Sequence, residues 1–287
     1  MLSTFLLMGC YQDQTKATSA EEKLIAEERA TEERLLLEMH AAADLLGPIA
    51  ALDLNEADPF EMQEFPTHSI WPRIRDGFAI DTHLDHPWVQ SELAWYSKHP
   101  EYLFRTMTRA EPFLHYILEE AEKRDMPTEL VLLPIVESAY QPFAYSHGRA
   151  AGIWQFIPST GKLYGLEQNW WYDGRRDIYA STQAALNYLQ NLNKLFKGDW
   201  TLALAAYNSG SGTVQRAIRK NKKKGKPTDF WHLKLPKETR AYVPKLMALK
   251  ELVENSELYD ISLRCIPNAP GFCLLYTSDA ADELRSV

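Results

Sequence analysis

The sequence has few of the residues that build covalent or metal-based frameworks. Only three cysteines, Cys10, Cys265 and Cys273, occur in 287 residues. They are too few, and two lie too late, for a disulfide scaffold. An oxidising compartment would allow a bridge between Cys265 and Cys273, but nothing in the sequence favours one. No His/Cys cluster has metal-ligand spacing, and no glycine-rich phosphate loop occurs. Neither a metal nor a nucleotide cofactor is therefore expected. No run of about 18 apolar residues exists, so there is no spanning helix. Convincing alternating strands and internal repeats are missing as well.

What remains is ordinary globular material with 45% hydrophobic and 24% charged residues. Its length allows one large domain or two modest ones, with a sizeable core. The net charge of −8 is unevenly placed. Residues 1–64 hold 14 acidic and 4 basic residues, and residues 65–287 hold 25 and 27. The acidity belongs to the N-terminal segment and says little about the ligand of the rest. The start, MLSTFLLMGC, is short and apolar, with no Lys or Arg before Cys10, so as a secretory signal it looks clipped. Leu7-Met8-Gly9-Cys10 nevertheless resembles the bacterial lipoprotein signal, in which the cysteine becomes the lipidated first residue. By that resemblance Cys10 is a lipidation site. Tyr11, where an Asp would retain the protein at the inner membrane, points to the outer membrane of a Gram-negative bacterium, facing the periplasm. The alternative is an apolar N-terminus with an incidental cysteine.

Residues 20–46 consist of good helix formers with acidic-basic pairs and end at Gly47-Pro48, which reads as a stalk or a loosely docked helix. Residues 48–66 are acidic and proline-bearing, like a linker. Ordered structure is expected to begin near 71–80 and to be helical from about 86, with Val89, Leu93, Tyr96, Phe104, Met107, Phe113, Ile117 and Leu118 at helical spacing. Pro87, Pro100, Pro112 and Pro127 are expected near helix starts. Thr128-Glu129 would open a helix that ends near Glu137. Asp177 and Asp199 are expected helix N-caps, and Gly198 a stop. Residues 237–254 are expected to be helical with an interruption at Pro244. The fold class is mainly α.

Residues 129–140, ELVLLPIVESAY, raise the functional question. An apolar run broken by proline ends on a carboxylate, Glu137. That carboxylate is either an exposed helix-end group or a group held at the edge of a cleft. Three further stretches accompany it: Ala151-Gly152-Ile153-Trp154-Gln155-Phe156-Ile157-Pro158-Ser159-Thr160, Ala206-Tyr207-Asn208-Ser209-Gly210, and Tyr242-Val243-Pro244-Lys245. Asn169-Trp170-Trp171-Tyr172-Asp173 lies between them. In this order and spacing they resemble the lytic transglycosylase (SLT) family with its goose-type-lysozyme-like fold, and within it the membrane-bound lytic murein transglycosylase D branch. The resemblance covers roughly residues 65–262.

It implies a mainly helical, lysozyme-like catalytic domain at 65–264. Before it come the signal at 1–10 and the acidic stalk and linker at 11–64. It also implies an enzyme that cleaves the β-1,4 bond between MurNAc and GlcNAc in peptidoglycan and leaves 1,6-anhydroMurNAc ends. Most glycosidases use two carboxylates, whereas these motifs supply one. By resemblance Glu137 first donates a proton to the leaving oxygen. The N-acetyl group then assists, and Glu137 takes the proton of the C6 hydroxyl as that oxygen closes on C1. Such a double role asks for a raised pKa, which desolvation against Leu133, Val136, Phe143 and Ile153 would provide.

Ser138, Gln155, Tyr207, Asn208 and Tyr242 are the expected substrate contacts. Ser138 would orient Glu137, bind the acetamido group or satisfy its own helix. Gly152 would let the backbone approach the ligand. Asn208 could equally cap its helix, and Trp154 and Phe156 could be core. Trp170, Trp171 and Tyr172 could stack on sugars or be core. Residues 216–226 carry seven cations without interleaved aromatics, which reads as a solvated helix end and not as a nucleic-acid surface. A monomer with peptidoglycan as its partner is expected. The branch usually continues into LysM modules. Here residues 265–287 read as a truncated linker whose tail, CLLYTSDAADELRSV, resembles translated adapter sequence. Two rivals stand beside the transglycosylase: a muramidase of the same fold that adds water, and a non-catalytic glycan-binding protein.

Overall fold

The computed structural model describes residues 69–272. Cys10, the 11–64 stalk and linker, and the tail with Cys273 lie outside the described residues.

Prolines and short polar side chains decide where the helices begin. Helix α1 is Trp71–Asp76. Helix α2, Pro87–Ser97, opens after His86, whose ring nitrogen accepts the Trp88 N–H at 3.2 Å. Helix α3, Pro100–Glu122, buries Leu103, Met107, Leu114, Ile117 and Leu118 on one face. A 3-10 turn, Thr128–Leu132, then tightens directly into α4, Leu133–Ser138. After a long loop come α5, Pro158–Leu163, and α6, Ile178–Leu195. Helices α7, Trp200–Ser209, and α8, Ser211–Lys222, follow, and α9 is Lys237–Glu254. Asp177 caps α6 by accepting the Ala180 N–H at 2.7 Å, and Asp199 caps α7 through the Leu202 N–H at 3.0 Å. Among the described residues the extended pairings are isolated bridges and no sheet forms.

Helix α9 is the hub: 12 of its 18 residues are buried, and it packs on α2, α7 and the 3-10 turn before α4. This explains two departures from the sequence expectation. Pro244 does not interrupt α9, and Pro112 lies inside α3, not at a helix start. A proline costs a helix one backbone bond, but packing along the flanking turns holds both rods continuous. Pro127, likewise, precedes a 3-10 turn and not an α-helix.

The 139–157 loop builds one wall beside α4. Ala139 and Tyr140 take positive φ, 50° and 59°, and turn the chain sharply out of the helix. Tyr140 is fully buried and donates its hydroxyl to the Val131 carbonyl at 2.5 Å, pinning the loop to the core. Isolated bridges join Ala151 to Tyr145 and to Phe156.

Candidate active site

The apolar run at 130–136 ends on Glu137 because α4 ends there. The left-handed Ala139 reverses the chain, with its N–H on the Ile135 carbonyl and that of Tyr140 on the Pro134 carbonyl, both at 3.1 Å. This termination delivers Glu137 to a cleft of about 490 Å³. Val136, Gln155, Phe156, Tyr207, Asn208 and Tyr242 also line it. Four of the expected contact residues, from three separate stretches of chain, are thus brought together around Glu137.

Glu137 is half-buried, reaching solvent through the cleft while protein packs around its carboxyl. Desolvation is the largest influence on it and pushes its pKa up to about 8. The Tyr242 hydroxyl donates to Glu137 Oε1 and opposes the rise by favouring the charged form. The negative charge of Glu238 adds to the rise. Phe143 is 77% exposed and does not supply the apolar shielding expected of it. Burial likewise pushes the Tyr242 and Tyr207 hydroxyls well above the usual phenol range. Tyr242 therefore stays a neutral donor at the carboxylate.

The other expected residues separate by what they touch. Tyr207 donates its hydroxyl to the Trp154 carbonyl at 2.8 Å and lies 5.2 Å, ring to ring, from Tyr188 of α6. Its contribution to the cleft is a fixed ring. Gln155 sits at φ 48° and donates its amide to the Gly152 carbonyl at 2.8 Å. That bond turns its carbonyl oxygen into the remaining acceptor. Asn208 accepts from the Thr239 hydroxyl at 2.8 Å, and its amide reaches Glu238 at 3.5 Å. It does not cap α7, since Gly210, at φ 83°, takes that position. Ser138 is not among the cleft-lining residues. It donates to the Ile153 carbonyl at 3.0 Å and the Pro134 carbonyl at 3.3 Å, tying the end of α4 to the loop wall.

Gly152 has a different reason from the one expected. A Cβ there would sit 1.8 Å from the Arg175 carbonyl oxygen, so the glycine serves protein packing and not ligand approach. Trp154 is core, fully buried, with its indole N–H on the Thr182 hydroxyl at 3.0 Å. Phe156 is buried yet forms cleft wall. Trp170 and Trp171 are neither core nor cleft, being 88% and 90% exposed.

Sequence reasoning missed Tyr188, Glu238 and Lys245, which also line the cleft. Glu238 and Lys245 carried a usable signal, because with Tyr242 they fall at i, i+4 and i+7 and share one face of α9. Tyr188 carried none, being one of two tyrosines on an amphipathic helix. Among the described residues no group of three or more His, Cys, Asp or Glu side chains is placed to hold a metal ion.

Comparison with known proteins agrees with this geometry. Residues 115–230 match the family model "Transglycosylase SLT domain". The chain is 50% identical over 220 residues to membrane-bound lytic murein transglycosylase D of Escherichia coli (strain K12), and equally to that of Escherichia coli O6:H1. Each alignment covers 77% of this chain and 48% of the relative, so the chain spans about half the length of these proteins. A solved lytic transglycosylase Slt from Pseudomonas aeruginosa aligns over 53% of this chain and 25% of its own, at 22% identity and a TM-score of 0.37. With Glu137, Gln155 and Tyr207 gathered within the matched segment and Tyr242 beside it, residues 115–230 form a transglycosylase SLT domain.

Proposed function

We propose that the protein is a peptidoglycan lytic transglycosylase acting on the β-1,4 bond between MurNAc and GlcNAc. The observation that carries this reading is a carboxyl with a raised pKa, Glu137, on the wall of a sugar-sized cleft and hydrogen-bonded by the Tyr242 hydroxyl. A carboxyl with a pKa of about 8 is protonated at neutral pH and can donate to the glycosidic oxygen as the C1–O bond breaks. The N-acetyl group of MurNAc supports C1 while positive charge develops there. Tyr242 then stabilises the carboxylate left behind, which takes the proton of the C6 hydroxyl as O6 bonds to C1. No water is consumed and Glu137 returns to its starting state. Tyr207 offers its ring to the sugars with Phe156 packed edge-on behind it, and Gln155 and Asn208 offer polar groups to their hydroxyl and acetamido substituents. Ser138 acts as a positioning residue by fixing the end of α4 against the loop.

The relatives' names include "membrane-bound", which supports placing the protein in the cell envelope. Lipid attachment at Cys10, an outer-membrane anchor facing the periplasm, a catalytic domain at 65–264 and monomeric action complete the proposal. A muramidase that adds water is the second reading. It is favoured by one observation, the second cleft carboxylate Glu238, and it requires a reducing end on every product. Replacement of Glu137 by Gln tests the central assignment. Release of muropeptides from purified peptidoglycan falls below detection while binding to it persists; turnover by Glu137→Gln above a hundredth of the parent rate overturns the assignment.

A further inference from the structure

The most exposed aromatic pair among the large apolar side chains described lies outside the cleft. Trp170 and Trp171 are 88% and 90% exposed, with their rings edge to face at 6.3 Å. Exposing two indoles to water is unfavourable, and contiguous apolar patches mark surfaces that meet something else. The turn that carries them is held firmly. Asn169 Oδ1 accepts the Trp171 and Tyr172 N–H groups at 2.9 and 2.8 Å, and the Asn169 N–H donates to the Tyr172 carbonyl at 2.9 Å. The Tyr172 hydroxyl donates to Asp177, the cap of α6, at 2.9 Å.

The same turn is bonded to the wall of the cleft. Gln168 donates to the Pro158 carbonyl at 3.0 Å, beside the cleft residue Ile157. Arg175 pairs with Asp173 at 2.8 Å and also donates to the Phe156 carbonyl at 3.2 Å, so one guanidinium joins the tryptophan turn to the cleft wall. A cleft of about 490 Å³ holds only a short piece of a polymer. A longer strand must leave it across its rim.

We propose that Trp170 and Trp171 form an exosite on which an uncharged stretch of glycan strand stacks while a neighbouring bond occupies the cleft. This rests on the peptidoglycan reading above. The C–H face of a pyranose ring is apolar and flat, and an indole offers a matching face with little rotamer entropy to lose. Charge selects this occupant over a lipid surface. Across residues 162–177 the cations Lys162, Arg175 and Arg176 are balanced by Glu167, Asp173 and Asp177. Anionic headgroups would call for a basic surplus.

The full chain with Glu137→Gln, with and without Trp170→Ala/Trp171→Ala, is sedimented with purified murein sacculi. The expected result is an about tenfold higher half-saturating concentration for the double variant, the equivalent of about 1.4 kcal/mol. In the active background, Trp170→Ala/Trp171→Ala releases product from sacculi more slowly at low substrate. It cleaves a tetrasaccharide of the same repeat at the parent rate, and its melting temperature is unchanged because the indoles support no core. Unchanged half-saturation on sacculi overturns the proposal, as does an equal loss on sacculi and tetrasaccharide. Binding to phosphatidylglycerol-containing vesicles through the indoles, with murein binding intact, also overturns it. If the parent cleaves nothing yet the tryptophan variant loses sacculus binding, the exosite stands and the catalytic reading falls.

Discussion

At the scale of single residues, the proposed function turns on the pair Glu137 and Tyr242. Burial alone favours a neutral carboxyl, and the Tyr242 hydrogen bond moderates that preference so that the proton can leave and return. A general acid works only while protonated, so with Glu137 in the proposed role turnover should be full below its pKa and lost as pH rises through about 8. Tyr242→Phe removes the group that lowers this pKa, so the alkaline limb should move to higher pH. The maximal rate should also fall about 10- to 100-fold, because the carboxylate formed after proton donation loses a charge-assisted bond of roughly 1.5–3 kcal/mol. A pH–rate profile of both proteins measures the two effects. An alkaline limb that moves down in Tyr242→Phe would contradict this account.

At the scale of elements, the 139–157 loop matters most, because it supplies Ser146, Ala150, Gln155, Phe156 and Ile157 to the cleft lining. Its geometry depends on Gly152, which sits at φ 80° with the Arg175 carbonyl oxygen where a side chain would begin. Gly152→Ala cannot relax by moving a flexible side chain, since the obstacle is backbone. We expect a loss of more than about 3 kcal/mol in urea denaturation, with activity falling in parallel. A cost below about 1 kcal/mol would mean that the loop is not packed as described.

The loop is also where the sequence was least legible. Helix existence, the Asp177 and Asp199 caps and the end of α4 follow from local patterns of apolar spacing, capping residues and proline. The loop instead arranges Gln155 at positive φ, exposes Phe143 and buries Tyr140, and none of the three follows from apolar spacing or capping patterns. Pro112 and Pro244 misled for the related reason that tertiary packing outweighed a strong local signal. The gathering of Glu137, Tyr207 and Tyr242 was legible only through the spacing of the motifs as a set, since each residue alone reads equally well as packing.

At the scale of the whole molecule, the site stands on a core crossed by a buried ion pair. Glu129 is fully buried, and its Oε1 accepts the Ala79 and Ile80 N–H groups at 2.8 and 2.7 Å. Lys250 of α9 donates to the Ile80 carbonyl at 2.6 Å and lies 3.6 Å from the same Glu129 oxygen. The pair therefore joins α9 and the 3-10 turn to the segment between α1 and α2. Lys250→Met strands a buried carboxylate and should cost about 3–5 kcal/mol near neutral pH. Desolvation already raises the Glu129 pKa, so without Lys250 the group takes up a proton more readily and the cost should shrink as pH falls. A thermal or urea series across pH tests the sign.

These scales meet in the product that leaves the cleft. The most direct measurement is mass analysis of muropeptides released from purified peptidoglycan by the full chain, before and after borohydride treatment. Intramolecular attack by the C6 hydroxyl, with Glu137 as acid and then base, predicts products one water lighter than reducing muropeptides and unchanged by borohydride. Products that carry the extra water and are reduced by borohydride would contradict it. They would assign the second role to a water held near Glu238.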